Sequence, residues 1–161
     1  MTARFNGLSD DEARRALYAC FADQGWASRV AAGRPYHDMA SLMASADAAW
    51  SQLGPAGWLA AFQAHPRIGE RGGHSPQASD EEQSRVSQAP QQTLDALADE
   101  NRRYEARFGH VFLISASGRS ADEVLAELRR RMSNGPAAEL EEASSEHRRI
   151  TRLRLQRLLS E

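Results

Sequence analysis

At 161 residues the chain is the size of one domain, able to bury roughly 70% of the surface its unfolded form exposes. Hydrophobic residues make up 41% and charged residues 26%, and a net charge of −2 supplies no field for nucleic acid or an anionic membrane. All 20 basic residues are arginine and Cys20 is the single cysteine, which excludes a lysine Schiff base, an intrachain disulfide and a cysteine-rich zinc site.

The opening "MTARFNGLSDDEARR" has no signal-peptide core, "RLLSE" is no retention signal, and no apolar run approaches the ~20 residues of a membrane span. A cytoplasmic protein is the expectation. Ser9 and Glu12 form a capping-box pattern ahead of Ala13, Ala16, Leu17, Cys20 and Phe21 at helical spacing. Cys20 on that face reads as a core thiol. Gly25 is predicted to stop the helix, with a short turn around Trp26 to Val30. Asp38 caps a further helix carrying Leu42, Met43, Ala46, Ala49, Trp50 and Leu53. Gly54-Pro55 ends that helix and starts another, through Trp58, Leu59 and Phe62.

"QAHPRIGE" follows at 63–70. Proline disfavours helical geometry in the residue before it, so the helix breaks at His65. "GERGGHSPQA" reads as a loop. Ser79 and Glu82 repeat the capping-box pattern, predicting a helix from there to about Gln88. Leu94, Leu97, Asn101, Tyr104 and Phe108 mark a longer helix after Pro90. "VFLISA" (111–116) has no second strand to pair with, so it is read as a buried extended segment or a helix start. Ser120 and Glu123 begin a helix bearing Val124, Leu125, Leu128 and Met132. Asn134-Gly135-Pro136 separates it from a last helix running almost to the end. The fold predicted is all-α: a compact single-domain bundle of about seven or eight helices over residues 1–161.

Some polar residues sit where the pattern asks for apolar ones. On the last helix Leu140, Ala143, His147, Ile150, Arg154 and Leu158 share one stripe, whereas Arg148, Arg149 and Arg152 fall on the polar face. A guanidinium on the core stripe must meet an anion or hydrogen-bond acceptors. Arg154 is therefore a buried ion-pair residue or a clamp for a substrate carboxylate. Glu82 is a capping partner or, at a helix start after a glycine-rich loop, part of a ligand site that Gln83 would extend. Among the histidines, His37 and His74 lie in polar turns. His110 lines or covers a pocket, and His147 reads as a packing residue. His65, in a constrained turn at a helix end, is a titratable ring placed for chemistry or equally an unremarkable surface histidine. A metal site from His65, Glu70 and His74 fits neither a helical pair nor a zinc-ribbon spacing.

Three segments carry a family resemblance: "AHPRIG" (64–69), "SDEEQ" (79–83) and "NRRYEARFGHVFLISASGRSADEVLAELRRRM" (101–132). Together with "ITRLRL" (150–155), they resemble the 2-oxo-4-hydroxy-4-carboxy-5-ureidoimidazoline (OHCU) decarboxylases, in order, from about Phe5 to Leu158. The resemblance implies an all-helical, often dimeric protein that needs no cofactor and converts this small ureidoimidazoline to (S)-allantoin and CO2 in urate degradation. Carried over by motif, His65 is the catalytic histidine, Glu82 its acidic partner, and Ser79 and Gln83 substrate contacts. Pro66, Ile114, Ser115 and Ala116 are pocket walls. The family's arginine in "LRL" matches Arg154 and not Arg152, the same residue that helical periodicity selects. The chain departs from the family at His110, where an aromatic residue is usual, and at Ser115, where Cys is usual. The rival readings are a catalytically silent helical interaction domain and a metal-dependent ureide hydrolase.

Overall fold

The computed structural model describes residues 2–70 and 72–161, and these hold eight helices and no strand. In order they are α1 (Ala3–Asn6), α2 (Asp10–Cys20), α3 (Gln24–Ala32), α4 (Met39–Phe62), α5 (Pro76–Glu82), α6 (Gln91–Phe108), α7 (Ala121–Arg131) and α8 (Pro136–Ser160). The all-α class and the helix count agree with expectation. None of these helices is long and apolar enough to cross a membrane. The chain divides into two compact units: Met1–Ala61 with Ile150–Glu161 (unit one) and Phe62–Arg149 (unit two).

Unit one is built on apolar helix faces. The predicted capping box is present in full: Ser9 Oγ accepts from the Glu12 N–H, and Glu12 returns a bond to the Ser9 N–H at 2.9 Å. Gly25 does not end this helix. Phe21 already leaves helical geometry, and Asp23 caps α3 by accepting from the Trp26 N–H at 2.7 Å. The supposed turn at 26–30 is thus the middle of a helix, because an aspartate N-cap outweighs one glycine in a first turn. Helix α3 packs on α2, with the Phe21 and Trp26 rings 5.1 Å apart. Leu17, Phe21, Val30, Leu42 and Leu155 share the same fully enclosed cluster. Asp38 caps α4 as predicted, through the Ser41 N–H at 2.8 Å. Gly54 breaks α4 with φ +68° and ψ −177°, a conformation open to glycine, and Pro55 starts the second segment.

Unit two alternates helices with irregular backbone. Ile68, Leu97, Tyr104, Phe112, Ile114, Val124 and Leu128 form its core. Residues 111–116 belong to neither a helix nor a strand, with Phe112, Leu113, Ile114 and Ala116 buried, so "VFLISA" is a buried segment between helices and not a helix start. Arg131 Nη1 donates to the Leu113 carbonyl at 2.8 Å, satisfying part of that backbone from a neighbouring helix. Ser120 caps α7 by accepting from the Glu123 N–H. Helix α8 is shared between units, residues 136–149 lying in unit two and Ile150 onward in unit one.

Candidate active site

His65 sits one short turn past the end of α4, where the backbone leaves the helix ahead of Pro66, and only 8% of it is exposed. Three separate ties hold this corner in unit two. Asn101, on the buried face of α6, donates through Nδ2 to the Ile68 carbonyl at 3.0 Å. The Gly69 N–H donates to Gln83 Oε1 at 2.8 Å. The His74 N–H and its ring Nδ1 both reach the Ala64 carbonyl, at 2.9 and 3.2 Å. A carbonyl only accepts, so the second bond places a proton on His74 Nδ1. Gly73 is where the returning loop crosses: at φ +77°, a side chain there would lie 2.7 Å from both the Ala64 oxygen and Pro66 Cδ. Only glycine lets the two strands of the loop close.

The bond from Gly69 to Gln83 brings the C-terminal end of α5 beside the His65 corner. Ser79, Glu82 and Gln83 fall at i, i+3 and i+4 on one face, and all three are buried. This corrects the predicted capping box. Helix α5 opens at Ser75 with Pro76 in its first position, so Ser79 lies mid-helix and Glu82 is its last residue. A buried carboxylate at that end gains nothing from the helix dipole, so the anion-site argument for Glu82 falls. The predicted helix to Gln88 is also shorter; residues 83–88 are turns. Gln83 spends its carbonyl oxygen on Gly69, which leaves the NH2 end as what it can offer a ligand.

Of the other predicted residues, Ile114 and Ala116 are buried in the unit-two core, in the same cluster as Ile68, and Ser115 between them is half-buried. Pro66 is half-buried beside Gly73. Arg154 lies in unit one. It is 4% exposed, as its stripe position requires, and its Nη1 donates to the Ala19 carbonyl at 3.3 Å, in the last turn of α2. A cation at a helix C-terminus is favourably placed.

Two features were not foreseen. His147 is buried, as its place on the core stripe implies, but its pairing with His65, Nε2 to Nε2 at 2.9 Å, was not expected. His74, expected in solvent, is half-buried and meets the His65 ring edge-on at 5.1 Å. His110 packs against Phe62, Tyr104 and Phe108 and shares Nδ1–H with the Val111 carbonyl at 3.1 Å. Among the described residues no group of three or more His, Cys, Asp or Glu is arranged to hold a metal ion. Elsewhere in unit two Arg131 and Glu139, both essentially unexposed, pair through Nε at 2.8 Å and Nη2 at 2.5 Å. The Tyr104 hydroxyl donates to the same Glu139 oxygen at 2.5 Å. Burial, then that bond and the nearby negative charge, push the Tyr104 phenol well above its ordinary range. Arg131 continues the Val124, Leu128 stripe of α7, a signal that was present in the spacing.

The model for the OHCU decarboxylase family matches residues 6–156. A "2-oxo-4-hydroxy-4-carboxy-5-ureidoimidazoline decarboxylase" of Amia calva is 31% identical over 138 residues, covering 83% of this chain and 79% of that protein. The "Uric acid degradation bifunctional protein TTL" of Arabidopsis thaliana is 31% identical over 88% of this chain, which spans only 46% of that relative's length. Among solved structures, one described as OHCU decarboxylase in the presence of (S)-allantoin superimposes with a TM-score of 0.81 at 30% identity. It covers 96% of this chain and 100% of that one.

Proposed function

The chain belongs to the OHCU decarboxylase family, and from that footing we propose that it decarboxylates 2-oxo-4-hydroxy-4-carboxy-5-ureidoimidazoline to (S)-allantoin in urate degradation, without a cofactor. The observation that carries the reading is the family match over residues 6–156, which takes in the tied His65 corner and the buried Ser79, Glu82, Gln83 face beside it. The same reading has the protein act as one catalytic domain in a cytoplasmic homodimer, as the family resemblance implies for the dimer.

Loss of CO2 breaks the bond between ring carbon 4 and its carboxylate, and the electron pair passes into the adjoining C5=N bond, leaving an enol at carbon 4 whose oxygen carries negative charge once its hydroxyl proton is removed. Protein groups lower the barrier by holding the carboxylate in register and by stabilising the oxyanion that forms. One proton must then reach one face of carbon 5, the ureido-bearing carbon, while the 4-hydroxyl gives up its proton and becomes the product carbonyl. In this proposal Arg154 grips an anionic or ureido oxygen, and Ser79 with the NH2 end of Gln83 orients the ring. Pro66 and the 114–116 segment wall the cavity. His65, supported by Glu82, exchanges a proton with the substrate hydroxyl or the developing centre.

The test makes the imidazoline in situ from urate with the enzymes that precede it, and follows allantoin by circular dichroism. Optically active product forming faster than the background decay is expected; racemic product at the uncatalysed rate sinks the reading. His65→Ala is expected to fold and to lose about 10²–10⁴-fold in kcat, the worth of a positioned acid or base.

A further inference from the structure

His147 occupies a position on α8 where the core stripe asks for a hydrocarbon. It is 0% exposed, and its ring stands at 84° to that of His65 with centroids 4.7 Å apart. The two Nε2 atoms are 2.9 Å apart, a hydrogen-bonding distance. An imidazole nitrogen either donates or accepts, so one Nε2 carries the hydrogen and the other presents its lone pair. In the neutral pair the two rings are therefore opposite tautomers, and neither can change alone without breaking the bond. The neighbours restrict the rings further. Phe62 meets His147 edge-on at 5.3 Å, and His74, with Nδ1–H held by the Ala64 carbonyl, meets His65 edge-on at 5.1 Å.

We propose that His147 is a positioning residue: its bond to Nε2 sets the tautomer and ring orientation of His65. The kinetic part of this proposal rests on the decarboxylase reading, whereas the tautomer does not.

The experiment uses the full-length protein labelled with ¹⁵N at histidine, and assigns ring tautomers from long-range proton–nitrogen spectra. In the parent protein His65 and His147 should show opposite, single tautomers. In His147→Phe, which keeps the ring volume, His65 should become an exchanging mixture. Its kcat should fall about 10²-fold, the scale of a misplaced catalytic group, with KM changed less than twofold. His147→Gln, which keeps a hydrogen-bonding end, should restore one tautomer and part of kcat, and it serves as the probe if the Phe variant does not fold. An unchanged His65 tautomer in both variants overturns the proposal. So does a loss of thermal stability with kcat intact. Opposite tautomers in a parent protein that produces no allantoin would support the lock and defeat the decarboxylase reading, so the two failures are distinguishable.

Discussion

The two units bury different kinds of side chain. Unit one closes around alanine, leucine and aromatic faces, and its buried polar groups among the described residues are Thr2, Thr151 and Arg154. Unit two encloses His65, Ser79, Glu82, Gln83 and His147, and separately Arg131 with Glu139. An unbonded polar group in an apolar interior costs about 1–3 kcal/mol by mutational measures, so such groups persist only where they are mutually satisfied or used. Unit two contains both cases. Arg131, Glu139 and Tyr104 saturate one another and the Leu113 carbonyl, with Phe112 under the guanidinium at 4.5 Å. The His65 corner is tied down through the Ala64, Ile68 and Gly69 backbone, with one ring-to-ring bond from His65 to His147.

The largest expected effect breaks the structural half of that contrast. Arg131→Met leaves Glu139 buried without its counter-charge, and should cost about 3–5 kcal/mol in urea unfolding. The double variant Arg131→Met, Glu139→Leu should recover part of the loss, because it removes both charges together while leaving the Tyr104 hydroxyl and the Leu113 carbonyl without those partners. If the double variant is as unstable as the single one, the pair is not the closed unit described here.

Arg154 sharpens the comparison, because it is the proposed site residue that lies in the apolar unit. As a substrate clamp, Arg154→Met should forfeit a charged hydrogen bond of about 1.5–3 kcal/mol, or roughly 10- to 150-fold in kcat/KM, with little change in unfolding midpoint. A silent helical domain predicts the reverse. Arg154 would then serve the structure alone, as its bond to the Ala19 carbonyl does, and the variant would lose stability with turnover absent from the start.

Local signals made the helices legible. Asp38, Ser9 and Gly54-Pro55 act within four residues of themselves, and the structure uses each as read. Arg154 was legible too, since a stripe at helical spacing reports burial whatever the residue type. The error at Ser79 has a physical cause. Serine and glutamate three apart describe a capping box and equally two neighbours on a helix face, and Pro76 was the better marker of the start. His147 lies 82 residues from His65, so the partner that removes its polarity from the core is invisible to periodicity. Tertiary pairing, not local preference, decides such residues.

The smallest effect lies at the start of α2, where sequence and structure agree most closely. Ser9→Ala removes the oxygen that accepts from the Glu12 N–H and should cost about 1 kcal/mol at neutral pH. The Ser9 hydroxyl, then the Ser9 backbone N–H, hold the Glu12 carboxyl below its ordinary range. A depressed carboxyl stabilises the fold above the ordinary carboxylate range, and that contribution fades as pH falls through the lowered value. Unfolding midpoints of parent and variant should therefore lie furthest apart near pH 7 and draw together in acid. A gap that stays constant down to pH 2 would mean that the Ser9 hydroxyl acts on the helix backbone alone, and that its bond to the Glu12 carboxylate contributes nothing.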